Sequence, residues 1–248
     1  MSVDVFVGPS LKIRRAQRHI AELEECIQAF LRAGPYSVQV EEDAASGSHL
    51  LKVATLHTLP EEIPLIIGDA ANNLRSALDI LISGYIRSAG GNIAAGNLPI
   101  HETRESLVGA LQRSEIRKVR SDVADFILEH VKPYKDGNFG VWALSKLDNV
   151  NKHRLVIPVV AVTRLTGISV RDDNSNTFDN LTVTVDHGRI TNLIRTGARM
   201  HITNPGQPAI AIIFDAGHPF EGKAVVPTLH QLVQLVTQVV ESFRTITD

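Results

Sequence analysis

Residues 60–88 read PEEIPLIIGDAANNLRSALDILISGYIRS, and this stretch decides the fold. Pro60-Glu61-Glu62 is a strong helix start: proline suits the first turn, and acidic side chains there face the positive end of the helix dipole. At roughly 100° per residue, Ile63, Ile67, Ala70, Leu74, Ala77, Leu81 and Tyr85 share one face. Gly68, Asn72, Arg75, Ser76, Asp79 and Ser83 share the opposite face. A solvated face would carry Lys and Glu, and this one has neither after Glu62. Leu65, Ile80 and Ile86 also encroach on it. The pattern predicts a helix to about Ser88, stopped by Gly90-Gly91 and buried nearly all round. Arg75 and Asp79 must then be paired or hydrogen-bonded, because an unpaired buried charge is costly. Arg75 precedes Asp79 at i,i+4, the weaker order for a helical ion pair, so partners elsewhere are expected.

Upstream, Ser10 is the expected cap of a helix over residues 10–33, with Leu11, Ile20, Leu23, Ile27 and Leu31 as its apolar stripe. Gly34-Pro35 ends it. Residues 36–42 and 50–57 read as strands of a hairpin around the turn-rich residues 43–48. Downstream, residues 90–100 read as loop, and helices are expected over 104–112, 118–130 and 140–151. From Leu155 the character changes. Residues 155–163, 168–170, 181–185, 190–194 and 209–214 are β-like, and Asp186-His187-Gly188 has hairpin-turn chemistry. A helix over 227–246 closes the chain.

The order is helix, hairpin, helices, strands, helix. That excludes the regular alternation of a doubly wound parallel sheet. The expectation is an α+β fold: a helical half with an N-terminal helix, hairpin and long central helix, then a mostly antiparallel sheet and a closing helix. At 248 residues the chain is read as a single domain, 1–248, with a subdivision near 154 as the alternative.

Formal net charge is −2, so any nucleic-acid contact needs a local basic patch. Arg14, Arg15 and Arg18 form one, offset along the helix by Glu22, Glu24 and Glu25. Arg113, Arg117, Lys118 and Arg120 form a second, without the interleaved aromatics that base stacking needs. The single cysteine, Cys26, excludes an internal disulfide and is read as a small buried hydrophobe. No signal-type h-region opens the sequence, and no apolar run approaches the ~20 residues of a membrane span, so a cytoplasmic protein away from the membrane is expected. There is no paired-Cys or His-Glu-x-x-His spacing, no glycine-rich phosphate loop and no nucleophile elbow. No metal and no cofactor are therefore expected. Asp215-Ala216-Gly217-His218 is read as a plain loop.

The second informative stretch is Trp142 to Arg154. Leu144, Leu147 and Val150 share one side, and Trp142, Lys146, Asn149 and His153 another, with Asn149 and His153 at i,i+4. Lys152 and Arg154 fall where helix-dipole stabilisation of cations is expected.

Residues 68–79, GDAANNLRSALD, and 144–154, LSKLDNVNKHR, resemble the two signature stretches of an uncharacterised family of bacterial and phage proteins. More distantly, the second stretch resembles the HEPN helical ribonucleases, which set an arginine-polar dipeptide before a histidine one turn later. Asn149 and His153 match the polar residue and the histidine; Asp148 stands in the arginine's place.

Two readings follow. In the enzymatic one His153 is general acid or base, since its unperturbed pKa lies near neutrality. Asp79 is its partner, and Arg75 with Lys152 or Arg154 holds an anionic group. Asn72 and Asn149 place donors. The substrate is then a phosphate- or carboxylate-bearing small molecule, or RNA, as for a metal-independent hydrolase. In the other reading the same residues form a buried network that fixes packing, and the chain is a non-catalytic ligand-binding or structural module. A homodimer is expected from apolar stripes on the first and last helices and from the resemblance to HEPN helix pairs.

Overall fold

A computed structural model of the chain describes residues 4–34, 36–43, 48–55, 58–153, 158–186, 189–190 and 199–246. It is an α+β protein with seven α-helices among the described residues. The chain forms two compact units: residues Met1–Glu25, Glu61–Ile157 and Phe214–Asp248 in the first, Cys26–Pro60 and Pro158–Ile213 in the second.

The first unit is helical. Helix α1 (Val7–Arg32) begins three residues before the expected Ser10. Just before it, Asp4 Oδ1 accepts from Phe6 N at 2.9 Å and Asp4 O accepts from Val7 N at 3.2 Å. Ser10 lies inside the helix, donating its N–H to Phe6 O. The buried positions Ile13, Ala16, Ile20, Leu23, Ile27 and Phe30 recur every three or four residues, and Leu11, assigned to that stripe from sequence, is 53% exposed. Helix α2 (Glu62–Ser88) then runs as expected. It ends where Gly90 takes φ +75°, conformational space open to glycine, while Gly91 N reaches back to Ile86 O.

Residues 91–100 return along α2 through a single 3₁₀ turn, Ile93–Ala95, capped by the Asn92 side chain. Helix α3 (Arg104–Arg113) is capped by Thr103. The helix expected over 118–130 is instead three pieces: α4 (Glu115–Val119), α5 (Ser121–Phe126) and a π turn, Ile127–Val131. The break is Arg120, whose φ −143° and ψ 78° lie outside helical space. Helices α6 (Phe139–His153) and α7 (Val225–Ser242) both pack on α2 and on each other.

Their shared core is Leu74, Leu78, Leu81 and Ile82 of α2 with Leu144 and Leu147 of α6 and Leu229, Val236 and Val240 of α7, all buried. Each such side chain contributes roughly 1.5–3 kcal/mol of burial. Tyr85 Oη donates to Phe243 O at 3.0 Å, fastening the last turn of α2 to the end of α7. The apolar stripes that suggested a dimer are thus consumed inside the chain on α7 and on most of α1. No helix among the described residues is long and apolar enough to cross a membrane.

The second unit holds two sheets. Strands β1 (Tyr36–Asp43) and β2 (Ser48–Thr55) pair antiparallel, with Tyr36 opposite Thr55 and Asp43 opposite Ser48; residues 44–47 of the expected turn lie outside the described residues. The second sheet has the order β5-β4-β3-β6. Strands β3 (Pro158–Asp172), β4 (Thr177–Asp186) and β5 (Arg189–Ile190) pair antiparallel, and β6 (Met200–Phe214) lies beside β3. Of two stretches expected as separate strands, 155–163 and 168–170, the first from Pro158 on and the second belong to the single β3; residues 155–157 lie outside the described residues. Their separation in sequence marks a bulge between Leu165 and Ile168, where Gly167 takes φ +75°. The turn into β4 is closed by Asp172, whose carboxylate accepts from the backbone and side chain of Asn176. Val185 opposite Ile190 and Asp186 opposite Arg189 give the register of a short hairpin; His187 and Gly188 lie outside the described residues.

Candidate functional site

Between Ile66 and Ile86, Asp69 is the one exposed residue of α2. Its polar side chains therefore need partners inside the protein. Arg75 Nη2 lies 2.9 Å from Asp79 Oδ1, in the order that sequence reasoning ranked the weaker. A third group makes the pair effective. Arg75 Nη2 donates to Leu98 O at 2.8 Å, and Leu98 N donates to Asp79 Oδ1 at 2.9 Å. The ion pair thus holds both polar atoms of one peptide residue, and the Leu98 side chain is itself buried at 1% exposure. One helical turn on, Ser83 Oγ donates to Gly96 O. Gly96 packs so tightly on Ser83 that a Cβ would collide with it. Residues 91–98 are therefore strapped to the polar face of α2.

The opposite end of the stripe faces α6. Asn72 Nδ2 donates to Asp148 Oδ1 at 3.0 Å, and Asp148 is 1% exposed. Gly68 lets the Asn151 amide press onto the α2 backbone, and any Cβ there would clash with it. On the flank toward α1, Asn73 accepts from Lys12 Nζ at 3.2 Å and donates to Asp69 O at 2.8 Å. Burial draws the Arg75 guanidinium below its ordinary pKa, while Asp79 and then Asp148 oppose that shift. Arg75 Nη1 is buried with no hydrogen-bond partner among the described residues.

The contacts Gly68–Asn151 and Asn72–Asp148 run in opposite chain directions, so α2 and α6 are antiparallel. At ~1.5 Å of rise per residue, that register sets the His153 α-carbon about 20 Å along the helices from Asp79 and about 13 Å from Arg75. That register levels the His153 α-carbon with the first turns of α2; the expected constellation of the His153 side chain with Asp79 lies outside the described residues. Asn149 is exposed, so of the neighbouring pair it is Asp148 that turns inward. The side chains of Lys152 and His153, and Arg154 as a whole, lie outside the described residues.

Sequence reasoning expected partners elsewhere for Arg75 and Asp79 without naming Leu98, and it missed Asp148 and Asn151; the two residues also pair with each other. The signal for Asp148 was present, because a lone acid among Leu144, Leu147 and Val150 sits on their side of the helix. Leu98 carried no signal, since its role is played by backbone atoms.

The other candidates are engaged locally. Arg117 pairs with Asp125, Lys118 with Glu115 and Arg120 with Asp122. The loop at 215–218 closes on itself, Ala216 N donating to Asp215 Oδ1 and Gly217 N to Glu221. Among the described residues, no group of three or more His, Cys, Asp or Glu is placed to hold a metal. An open depression of about 260 Å³ lies at the start of α6, lined by His130, Lys132, Asn138 and Phe139 among others, and none of the stripe residues reaches it. Compared with protein-family models, with curated proteins and with solved structures, the chain matches none.

Proposed function

We propose that the polar stripe of α2 is a packing network, and that the chain is a non-catalytic binding or structural module rather than a metal-independent hydrolase. The observation that carries this reading is the Leu98 peptide. Arg75 and Asp79, the residues assigned to an anionic substrate and to a general acid–base pair, each commit one charged atom, Nη2 and Oδ1, to the backbone of their own chain. A group that must meet substrate needs an open coordination sphere and access. Arg75 has a side chain only 11% exposed. Asp148, in the position of the HEPN arginine, is buried against Asn72, which argues against a ribonuclease acting on RNA there.

A network of this kind contributes specificity more than net stability, because desolvating charges offsets much of their attraction. The test is a double-mutant cycle in chemical unfolding. Arg75→Met and Asp79→Leu should each destabilise strongly, and the double variant should lose clearly less than the sum, since neither member of the pair is then left without the other. Additive losses, or a wild-type protein that binds inorganic phosphate or acetate with Arg75-dependent affinity, would return the stripe to the anionic-ligand reading.

A further inference from the structure

The outward face of α1 is exposed. Val7 and Leu11 are 52% and 53% exposed. Beyond them come Arg14, Arg15 and Arg18, then Glu22 and Glu25, all exposed. At ~100° per residue these seven side chains fall within about a quarter of the helix circumference, opposite the buried Ile13, Ala16, Ile20 and Leu23. Among the described residues, the three arginines and Glu25 make no ion pair or hydrogen bond, and Glu22 meets His19 alone, at 3.5 Å. A solvated helix normally intersperses its charges at i,i+4; here arginine precedes glutamate, the unfavourable order, and the signs are segregated along the axis.

We propose that this face docks on its own copy, α1 against α1 in antiparallel. A stripe that is basic in one half and acidic in the next is complementary to itself under a two-fold axis. With the axis level with Ile20, residue i faces residue 40−i of the partner. Arg18 then meets Glu22 of the second copy and Arg15 meets its Glu25, each pair occurring twice, with Arg14 flanking. Electrostatic complementarity of this kind sets register and association rate. A uniformly anionic surface, a nucleic acid or an acidic membrane, would be attracted by the arginines but repelled by Glu22 and Glu25 on the same stripe.

The experiment is a charge swap read by sedimentation. Wild-type protein should dimerise at micromolar concentration in low salt and dissociate as salt is raised, since exposed pairs are screened over about 8–10 Å at 0.1–0.15 M. R15E/R18E and E22R/E25R should each be monomeric. All four positions are exposed, so the melting temperatures should stay near wild type. Mixing the two variants should restore a heterodimer. Wild type that stays monomeric at 100 µM would overturn the proposal, as would a dimer indifferent to either double variant or a mixture that fails to associate. Arginine-dependent binding of the wild type to anionic vesicles or single-stranded nucleic acid without self-association would overturn it in favour of that partner.

Discussion

Arg75–Asp79 and Arg104–Glu129 have nearly the same geometry, 2.9 and 2.7 Å between charged atoms. They differ in surroundings. The first lies on α2 with side chains 11% and 30% exposed and shares the Leu98 peptide. The second joins two surface segments with both side chains about half exposed. Distance therefore says little about what a pair does. The buried pair cannot lose a member without leaving the other desolvated, whereas water replaces either member of the exposed one.

The comparison is broken most severely at Arg75. Arg75→Ala strands Asp79 and the Leu98 carbonyl together, and about 3–5 kcal/mol should be lost in urea unfolding. Asp148→Ala should follow at about 2–3 kcal/mol, because it removes the acceptor of Asn72 and one of the two carboxylates acting on Arg75. Gly68→Ala tests the α2–α6 approach without touching a charge. Its Cβ collides with the Asn151 amide, and a loss of about 1–3 kcal/mol should appear unless Asn151 is shortened in the same chain. Arg104→Ala should cost less than about 1 kcal/mol and vanish at high salt.

The smallest expected effects are with pH. Burial, and secondarily Arg113, hold His101 below its ordinary pKa, so the unfolded chain takes up this proton first. Stability from that site is complete above about pH 6.5 and falls as acid is added. His101→Gln should flatten that part of the profile. Glu102, held low mainly by Lys146, and Asp122, held low mainly by Arg120, contribute above the ordinary carboxylate range and lose their share only as pH drops through their lowered folded values.

The same contrast explains what could be read in advance. The burial of α2 was legible because Lys and Glu are missing from its polar face after Glu62, and its end was legible at Gly90-Gly91. The α+β class followed from element order. The break at Arg120 was not legible, because it is a backbone conformation with no glycine or proline to announce it. The partner of Arg75 and Asp79 was equally hidden, since any residue supplies a peptide N–H and C=O, and Leu98 looks in sequence like a plain apolar anchor. The register of α2 on α6 was not legible either: helical face says nothing of height along a helix pair, and the Gly68–Asn151 contact that sets the height depends on a glycine read only as a member of the polar face and of a motif. Leu11 was placed in the core stripe by the same face argument, and it points outward because the buried stripe runs through Pro9, Ile13, Ala16 and Ile20, on the opposite side of the helix.

The central claim is that Asp79 serves packing through the Leu98 peptide, and Asp79→Asn tests it most directly. The substitution keeps the shape and removes the charge. Measured by chemical unfolding together with amide hydrogen exchange, it should cost about 1–3 kcal/mol and speed exchange at the Leu98 N–H while the middle of α2 stays protected. An unchanged or raised stability, with Leu98 exchange as slow as in the wild type, would contradict the packing account and mark Asp79 as a charge kept for function.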